Sequence, residues 1–259
     1  MSAPVVATLL RSAGARRALR RGLPRGEVRL AACRSVAALE RTVATQLVDA
    51  VVVDVRLPGA MAGLERLRQR FPGVPRFAFA PFRPEDADLL VRCVHDVAAH
   101  PIVEGVEDVV VWDLVLPRTA GAVRRAALLG APRILRLVDG LQLRAWAVVL
   151  RDVGGPLRTA AIAGALDVSR EHLSRQFGAG GAPNLKRVID LARTATAADL
   201  LANPGYSVRA VARILGFASA SHLAAAARRI AGVTALRLPE LGPRGVLAAF
   251  VRGRTRSRG

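Results

Sequence analysis

The chain is poor in aromatic residues, which make up 4% of its 259 residues. Proteins that read RNA or single-stranded DNA stack bases on aromatic side chains, so this composition disfavours that class. Trp112 and Trp146 stand outside any aromatic cluster and are expected in a core or an interface. Cys33 and Cys93 are the only cysteines, too few and too isolated for a disulfide framework or a metal site.

Long apolar runs are also missing. No stretch approaches the roughly 20 residues that cross a bilayer. The N-terminus lacks the uninterrupted apolar core and the cleavage pattern of a secretory signal. Its many arginines are also typical of an organellar transit peptide, but Val5 to Leu10 reads as a strand. We therefore expect a cytoplasmic protein without membrane contact.

Lysine is nearly absent, since Lys186 is the single lysine among 39 basic residues; the formal net charge is +19. Part of the arginine excess is typical of a GC-rich genome. Residues 156–259 hold 16 basic and 5 acidic residues, whereas residues 1–155 hold 23 and 15. The shorter half therefore carries the larger net charge, which favours phosphate binding there.

One pattern occurs twice in this second half, as IAGALDVSREHL and again as VARILGFASASHL. In each copy a small residue, Ala163 or Ala212, stands four positions before Asp167 or Gly216. The small side chain lets two helices approach closely, and Asp or Gly tolerates the left-handed backbone of a sharp turn. Ser169 is an expected N-cap. The pattern predicts two helix-turn-helix units.

The second helix of the first copy is predicted to have a polar outer face. Leu173 and Phe177, four positions apart, would face inward. The residues left on the outer face are Arg170, Glu171, Ser174 and Arg175. An exposed polar helix face of this kind suits the major groove of DNA.

These residues resemble the AraC family of transcription regulators over about residues 141–238. The resemblance depends on DVSREHLSRQF in the first unit, on GFASASHL and RRIAGVTALRL in the second, and on Arg193, Ala197, Leu200 and Leu201 between them. It implies a DNA-binding domain of two helix-turn-helix units joined by a long helix. The base-facing positions that it implies are Glu171, Ser174 and Arg175 in the first unit, and Ala220, Ser221, His222 and Ala225 in the second.

The second unit departs from the family pattern. A run of four alanines, Ala224–Ala227, stands where an Arg and an aromatic residue are usual, which weakens the case for base reading there. Arg175 is the strongest candidate for base contact, because a guanidinium can pair with both acceptors of guanine. The candidates for phosphate contact are Arg170, Lys186, Arg228 and Arg229. Each is also compatible with an ordinary solvated helix residue.

A helical connector from Asn184 to Leu201 would span roughly 27 Å. Successive major grooves on one face of DNA lie roughly 34 Å apart, so one chain could touch two of them. Pro204-Gly205 ends the connector, and Ser207 is an expected N-cap of the next helix. Residues 241–259 are a basic tail, which either adds phosphate contacts or is a disordered solubilising end.

The first half alternates apolar strands with helical patterns. The predicted strands are Val5–Leu10, Val28–Ala32, Ala50–Val55, Arg76–Phe79 and Pro101–Glu104, and the predicted helices are Val36–Gln46, Gly63–Arg70 and Pro84–Val97. This alternation predicts a parallel sheet covered by helices. The run DAVVVDVRLPG, followed by GLERLRQRFPGVP, resembles the receiver domain of response regulators, a flavodoxin-like α/β fold. It places Asp54 on that family's phosphate-accepting aspartate.

Receivers support this chemistry with an acidic pair after the first strand, a hydroxyl after the fourth and a lysine after the fifth. Here the first strand runs into Arg11-Ser12, the fourth ends at Ala80, and this half has no lysine. The groups that would hold a cation and balance phosphate charge are therefore missing. We interpret Asp54 as a vestigial phosphoacceptor and the domain as a pseudo-receiver for dimerisation or partner binding. Phosphorylation of Asp54 without helpers is the alternative.

The sequence thus predicts an α/β receiver-like domain with a linker at residues 1–138, an all-α double helix-turn-helix domain at residues 139–240, and the basic tail. Residues 109–136 begin with a strand or a helix and continue as a helix with a break near Gly130–Pro132.

The expected function is that of a sequence-specific transcription regulator, bound to double-stranded DNA, without cofactor, metal or small-molecule ligand. Two further partners stay open, a second copy joined through the receiver-like domain and RNA polymerase. The competing hypothesis is a protein-interaction adaptor with a drifted helix-turn-helix fold. No nucleophile motif, phosphate loop, paired carboxylates or metal-ligand spacing favours an enzyme.

Overall fold

The structure is a computed structural model, which describes residues 4–21, 28–107, 110–155 and 157–256. The chain divides into two compact units. The sheet unit comprises residues 3–123 with 203–205, and the helical unit comprises residues 124–202 with 206–259. The domain boundary predicted at residues 138/139 stays a prediction. Val109 and the last three residues of the predicted basic tail lie outside the described residues.

The sheet unit is built on five parallel strands. They are β1 (Val5–Leu9), β2 (Arg29–Cys33), β3 (Ala50–Asp54), β4 (Arg76–Ala80) and β5 (Ala99–Val103). Their order in the sheet is β2-β1-β3-β4-β5, the flavodoxin-like order. Val6 pairs with Leu30 on one side and with Ala50 on the other. Strands β1, β3 and β4 are buried along their whole length, as in a sheet covered on both faces. The predicted fold class is confirmed.

Among the described residues, six helices follow or connect these strands. They are α1 (Ala13–Arg21), α2 (Val36–Thr45), α3 (Ala60–Arg70), α4 (Ala87–His95), α5 (Val111–Val115) and α6 (Ala120–Ala127), with short 3-10 turns at Pro84–Asp86 and Leu116–Arg118. Helix α1 has no clear apolar period in the sequence, because its buried residues are few and mostly small while arginines dominate. The ambiguous segment after residue 109 begins as a helix and not as a strand.

The core of the sheet unit explains why that segment is helical. Val111, Trp112 and Val115 recur at helical spacing and belong to one buried cluster with strand residues such as Val6 and Phe77. The indole Nε1 of Trp112 donates to the carbonyl oxygen of Leu19 at 2.9 Å. This bond satisfies the polar atom of the buried ring. The expectation that Trp112 is a core residue is confirmed.

The helical unit contains eight further helices among the described residues. They are α7 (Ala131–Leu135), α8 (Gly140–Arg151), α9 (Thr159–Ala165), α10 (Arg170–Gly178), α11 (Leu185–Leu201), α12 (Val208–Ile214), α13 (Ala220–Ala231) and α14 (Leu238–Arg256), with 3-10 turns at Ala179–Gly181 and Ala235–Arg237. The long helix α11 lies at the centre of this unit and contacts α8, α12, α13 and α14. Most of its residues are therefore buried.

The start of α8 is capped by the side chain of Asp139. Its Oδ1 accepts from the backbone N–H of Leu141 at 2.8 Å, and this bond holds the pKa of Asp139 below its ordinary value. Gln142 completes a capping box and donates through Nε2 to the carbonyl oxygen of Gln176 at 2.9 Å. Asp139 and Gln142 thus fix the start of α8 against the end of α10.

The segment predicted as a basic tail is helical through residue 256. It belongs to α14, which is kinked at Gly242 (φ 60°). Val246, Leu247 and Phe250 are buried and hold this helix against the unit. The many arginines of the segment obscure the apolar period of these positions in the sequence. Within the part of the chain that the structure describes, no helix is both long enough and apolar enough to cross a membrane.

Candidate nucleic-acid interface

The first helix-turn-helix unit is formed by α9 and α10. Asp167 in the turn has a φ of 53°, the left-handed backbone expected there. Ala163 is buried at the contact between the two helices. The hydroxyl of Ser169 accepts from the backbone N–H of His172 at 3.1 Å and so caps α10. The predictions for the turn and for the cap are confirmed.

Helix α10 has one buried and one exposed face. Leu173 and Phe177 are fully buried, as predicted. The four residues predicted on the outer face, Arg170, Glu171, Ser174 and Arg175, are all exposed. Arg170 Nε lies 3.6 Å from Glu171 Oε1, in a pair that is mostly solvated. Arg175 has no ion-pair partner among the described residues, so its guanidinium is available to a ligand.

The second unit, formed by α12 and α13, repeats this geometry. Gly216 has a φ of 66° in the turn. Ser219 caps α13 by accepting from the backbone N–H of His222 at 3.1 Å. Ser221 and His222 are exposed in the first turn of α13. The ring of His222 packs edge-on against Phe217, with 5.7 Å between the ring centroids.

The alanine run in α13 has a packing role in part. Ala226 and Ala227 are buried, whereas Ala225 is exposed and Ala224 is half-buried. Small side chains at the buried positions allow close helix contacts. The side chain of the exposed Ala225 is a single methyl group, which offers no hydrogen bond. The outer face of α13 therefore carries fewer long polar side chains than that of α10.

The predicted phosphate ligands differ in their surroundings. Lys186 and Arg228 are exposed. Arg229 is instead engaged within the protein, since its Nη2 donates to Asp190 Oδ2 at 2.7 Å. Asp190 is largely buried on α11. This ion pair fastens α13 to α11, so any phosphate would compete with Asp190 for Arg229.

Three further exposed arginines belong to the same two units. Arg158 directly precedes α9, and Arg209 and Arg213 lie on α12. None of the three has an ion-pair partner within the described part of the chain. They lie outside the second helix of each unit, to which the predicted DNA contacts are mostly confined. The four-residue spacing of Arg209 and Arg213, around the buried Val211 and Ala212, was the available signal.

Arg193 of α11 contacts both helix-turn-helix units. Its Nη2 donates to the carbonyl oxygens of Gly155 at 3.3 Å and Leu157 at 3.2 Å, in the segment before α9. Its guanidinium carbon also lies 5.8 Å from the ring centroid of Phe217, in the second unit. Burial lowers the pKa of Arg193, but a guanidinium stays charged in proteins. One side chain therefore contacts both the segment before the first helix-turn-helix unit and the turn of the second.

Asp54 lies at the end of β3 and is almost completely buried. Its Oδ1 accepts from the backbone N–H of Arg56 at 3.0 Å, and its Oδ2 lies 3.5 Å from Arg11 Nε. The guanidinium of Arg56 pairs with Asp86. Asp86 also accepts from the backbone N–H of Arg83, which lowers the pKa of Asp86. Each carboxylate is thus neutralised by arginine.

These surroundings do not fit a divalent cation. Mg²⁺ needs hard oxygen ligands, whereas the guanidinium of Arg11 stands beside Asp54 after β1. A second cation at this place would be repelled by Arg11. Over residues 4–21, 28–107, 110–155 and 157–256, no group of three or more His, Cys, Asp or Glu side chains is arranged to hold a metal.

Comparisons with known proteins bear on the helical unit. Residues 162–238, less than a third of the chain, match the family model of a helix-turn-helix domain, of the AraC type. No curated protein matches the chain. Among solved structures, full-length FixJ from B. japonicum is similar, with 15% identity over 88% of this chain and 97% of that chain. The TM-score is 0.41, too low to support an argument. Residues 162–238 thus form a helix-turn-helix domain of the AraC type.

Proposed function

We propose that this protein is a sequence-specific transcription regulator that binds double-stranded DNA through its two helix-turn-helix units and is not controlled by phosphorylation. The observation that carries the proposal is the duplication in the helical unit. Each unit has a sharp left-handed turn and a second helix that is capped by serine. In both units the outer face of that helix is exposed.

The first unit carries the side chains suited to base reading. With α10 in the major groove, Arg175 pairs with the two acceptors of guanine, which is worth about 1–3 kcal/mol of discrimination. Glu171 accepts a hydrogen bond from the amino group of cytosine. The hydroxyl of Ser174 can donate or accept, so it pairs with either type of group on a base edge. Arg175 is the best-supported base contact, because it is exposed and has no ion-pair partner among the described residues.

The second unit has fewer side chains for base contact, and its contribution is mainly to position the protein through phosphate contacts. Ser221 and His222 are the polar groups exposed at the start of α13, while Ala225 offers a methyl group of the kind that contacts thymine. Phosphate contacts then come from Arg209 and Arg213, because the first helix of such a unit crosses the backbone. The exposed residues Arg158, Arg170, Lys186 and Arg228 add further phosphate contacts.

Helix α11 sets the distance between the two units. Its 17 residues span about 25 Å. Successive major grooves on one face of the duplex are about 34 Å apart. We therefore place α10 and α13 in adjacent major grooves of one site.

The sheet unit acts in this proposal as a pseudo-receiver. Arg11 already balances Asp54, and residues 1–155 contain no lysine that could balance a phosphoryl group. The unit serves as a docking module, for which a second copy and RNA polymerase are the candidate partners. The outer face of α13 carries fewer long polar side chains than that of α10, which favours a second candidate function, a protein-interaction adaptor that no longer reads DNA.

Selection of bound duplexes from a random pool tests the main proposal. We expect one enriched motif. Arg175→Ala should lose about 1–3 kcal/mol of binding free energy, bind the motif about 5- to 150-fold more weakly and lose preference at one position. Arg133→Ala removes an exposed arginine of α7 and should leave affinity and preference unchanged. Recovery of no motif, with weak binding that vanishes at moderate salt, would favour the adaptor.

Incubation with radiolabelled acetyl phosphate and Mg²⁺ tests the second part of the proposal. We expect no label on the wild-type protein. Label that appears on the wild type and is lost in Asp54→Asn would show that the sheet unit is a working receiver.

A further inference from the structure

Four arginines line the outer face of α1, on the sheet unit. They are Arg16, Arg17, Arg20 and Arg21, which we call the arginine stripe. All four are exposed. The opposite face of α1 is buried through Ala15, Ala18 and Leu19. The helix thus presents a row of guanidinium groups on a fixed support.

The charge of this stripe is largely uncompensated. Helix α1 contains no acidic residue. Arg16, Arg17 and Arg20 have no ion-pair partner among the described residues, although Arg16 Nη1 donates to the carbonyl oxygen of Leu10 at 3.3 Å. Arg16 and Arg20 are four residues apart, as are Arg17 and Arg21, so like charges face each other on the helix. Such pairs are unfavourable in an isolated helix, and an anion bound between them would relieve the repulsion.

A cavity lies along the stripe. Its volume is about 450 Å³, and its described lining consists of Gly14, Arg17, Arg20 and Arg21. Gly14 has no side chain to fill the space beside the guanidinium groups. The planar fork of a guanidinium matches the oxygens of a phosphate in pairs. The charge and the exposure of these guanidinium groups therefore suit phosphate groups.

We propose that the arginine stripe binds phosphates of the DNA backbone, so that the sheet unit adds a second DNA contact that does not read sequence. The inference rests on the proposed function, because the helix-turn-helix domain keeps duplex DNA at high local concentration beside the tethered sheet unit. A membrane surface is disfavoured. Helices that bind lipid insert their apolar face, and the apolar face of α1 is already packed in the core.

The salt dependence of duplex binding by the full chain tests this inference. The stripe variant combines Arg16→Gln, Arg17→Gln and Arg20→Gln. The control combines Arg41→Gln, Arg83→Gln and Arg92→Gln, which removes three exposed arginines of the same unit. Each phosphate contact contributes about 0.9 to the slope of log affinity against log salt. We expect the slope of the stripe variant to be smaller by about 2–3, with the selected motif unchanged, and the slope of the control to equal that of the wild type.

Several results would overturn the inference. An unchanged slope in the stripe variant, with the motif still selected, would refute it while leaving the proposed function intact. An equal decrease in both variants would attribute the effect to net charge. Loss of binding to phosphatidylserine vesicles, with an unchanged duplex slope, would assign the stripe to a membrane. Failure of the wild type to bind any duplex would refute both proposals. Thermal unfolding of each variant checks that a lost slope does not reflect a lost fold.

Discussion

Gly216 meets two constraints at once in the turn of the second unit. Its backbone has a φ of 66°, and an added Cβ would lie 3.2 Å from the carbonyl oxygen of Gly155. Gly232, at the end of α13, has a φ of 71° but nothing within 4 Å of an added Cβ. The two glycines therefore separate the conformational requirement from the packing requirement.

Gly216→Ala should lower the free energy of unfolding more than Gly232→Ala does. The left-handed backbone alone costs an alanine about 1–2 kcal/mol. Contact with Gly155 and the adjacent Arg193 should add about 1 kcal/mol at position 216. Urea unfolding of both variants gives the difference, and equal losses would show that Gly155 yields without cost.

The pair of Arg11 and Asp54 also makes a prediction at this scale. Asp54 is buried, but Arg11 is 50% exposed, so solvent screens the attraction. Arg11→Ala, Asp54→Asn and the double variant should give a coupling of about 0.5–1 kcal/mol in a double-mutant cycle. Arg41→Ala, paired with Asp54→Asn, is the uncoupled control. Additive losses in the first cycle would mean that Arg11 does not stabilise Asp54.

Residues that act locally were predictable, and residues that act across the fold were not. The cap by Ser169 and the turn at Asp167 depend on neighbours within a few positions, so the sequence pattern contains them. The bond between Asp190 and Arg229 joins residues 39 positions apart. Its existence depends on how α11 and α13 pack, and arginine is too abundant in this chain for a single one to stand out.

At the scale of elements, the serine caps govern the two recognition helices. Ser219 accepts from the backbone N–H of His222, at the end of α13 that the proposal directs toward DNA. The cap therefore affects both the stability of the protein and its binding to DNA. A substitution that keeps the stability but changes DNA binding separates the two effects.

Ser219→Ala should cost about 1 kcal/mol of unfolding free energy, because the first turn of α13 loses its cap. Ser219→Asp should keep the stability, since aspartate caps equally well and its charge suits a helix N-terminus. Its carboxylate should nevertheless weaken duplex binding by repelling phosphate. Thermal unfolding and duplex titration check the pair. Unimpaired binding by Ser219→Asp would argue against DNA at this end of α13.

The sequence predicted elements with a clear apolar period and missed those without one. Strands β1 and β3 lie within mostly apolar runs, and α11 begins and ends within one residue of the predicted connector. Helix α1 escaped notice because its buried face is mostly alanine. The last part of α14 has the composition of a basic tail. Only its packing against the rest of the helical unit shows that Val246 and Phe250 are core residues.

At the scale of the whole molecule, helix α11 fixes the spacing of the two recognition helices. Arg193 strengthens this arrangement, since it contacts both the segment before α9 and the ring of Phe217. A rigid spacing in the protein demands a rigid spacing in its DNA site.

Insertion of about 5 base pairs between the two halves of the selected site should turn the second half to the opposite face of the duplex. The affinity should then fall to that of a single half-site. Insertion of about 10 base pairs restores the face but exceeds the reach of α11, and it should weaken binding equally. The same insertions outside the site are the control. Undiminished binding after either internal insertion would contradict a rigid connector.

The contact between Arg11 and Asp54 also constrains how such a chain could change over generations. A lineage that gained a cation site at the end of β3 would first have to lose Arg11. That step leaves a buried carboxylate without its counter-charge, before any new acidic ligand or lysine has brought a benefit. Each intermediate would be less stable than its ancestor. A cation site at the end of β3 is therefore hard to reach from this sequence by single substitutions.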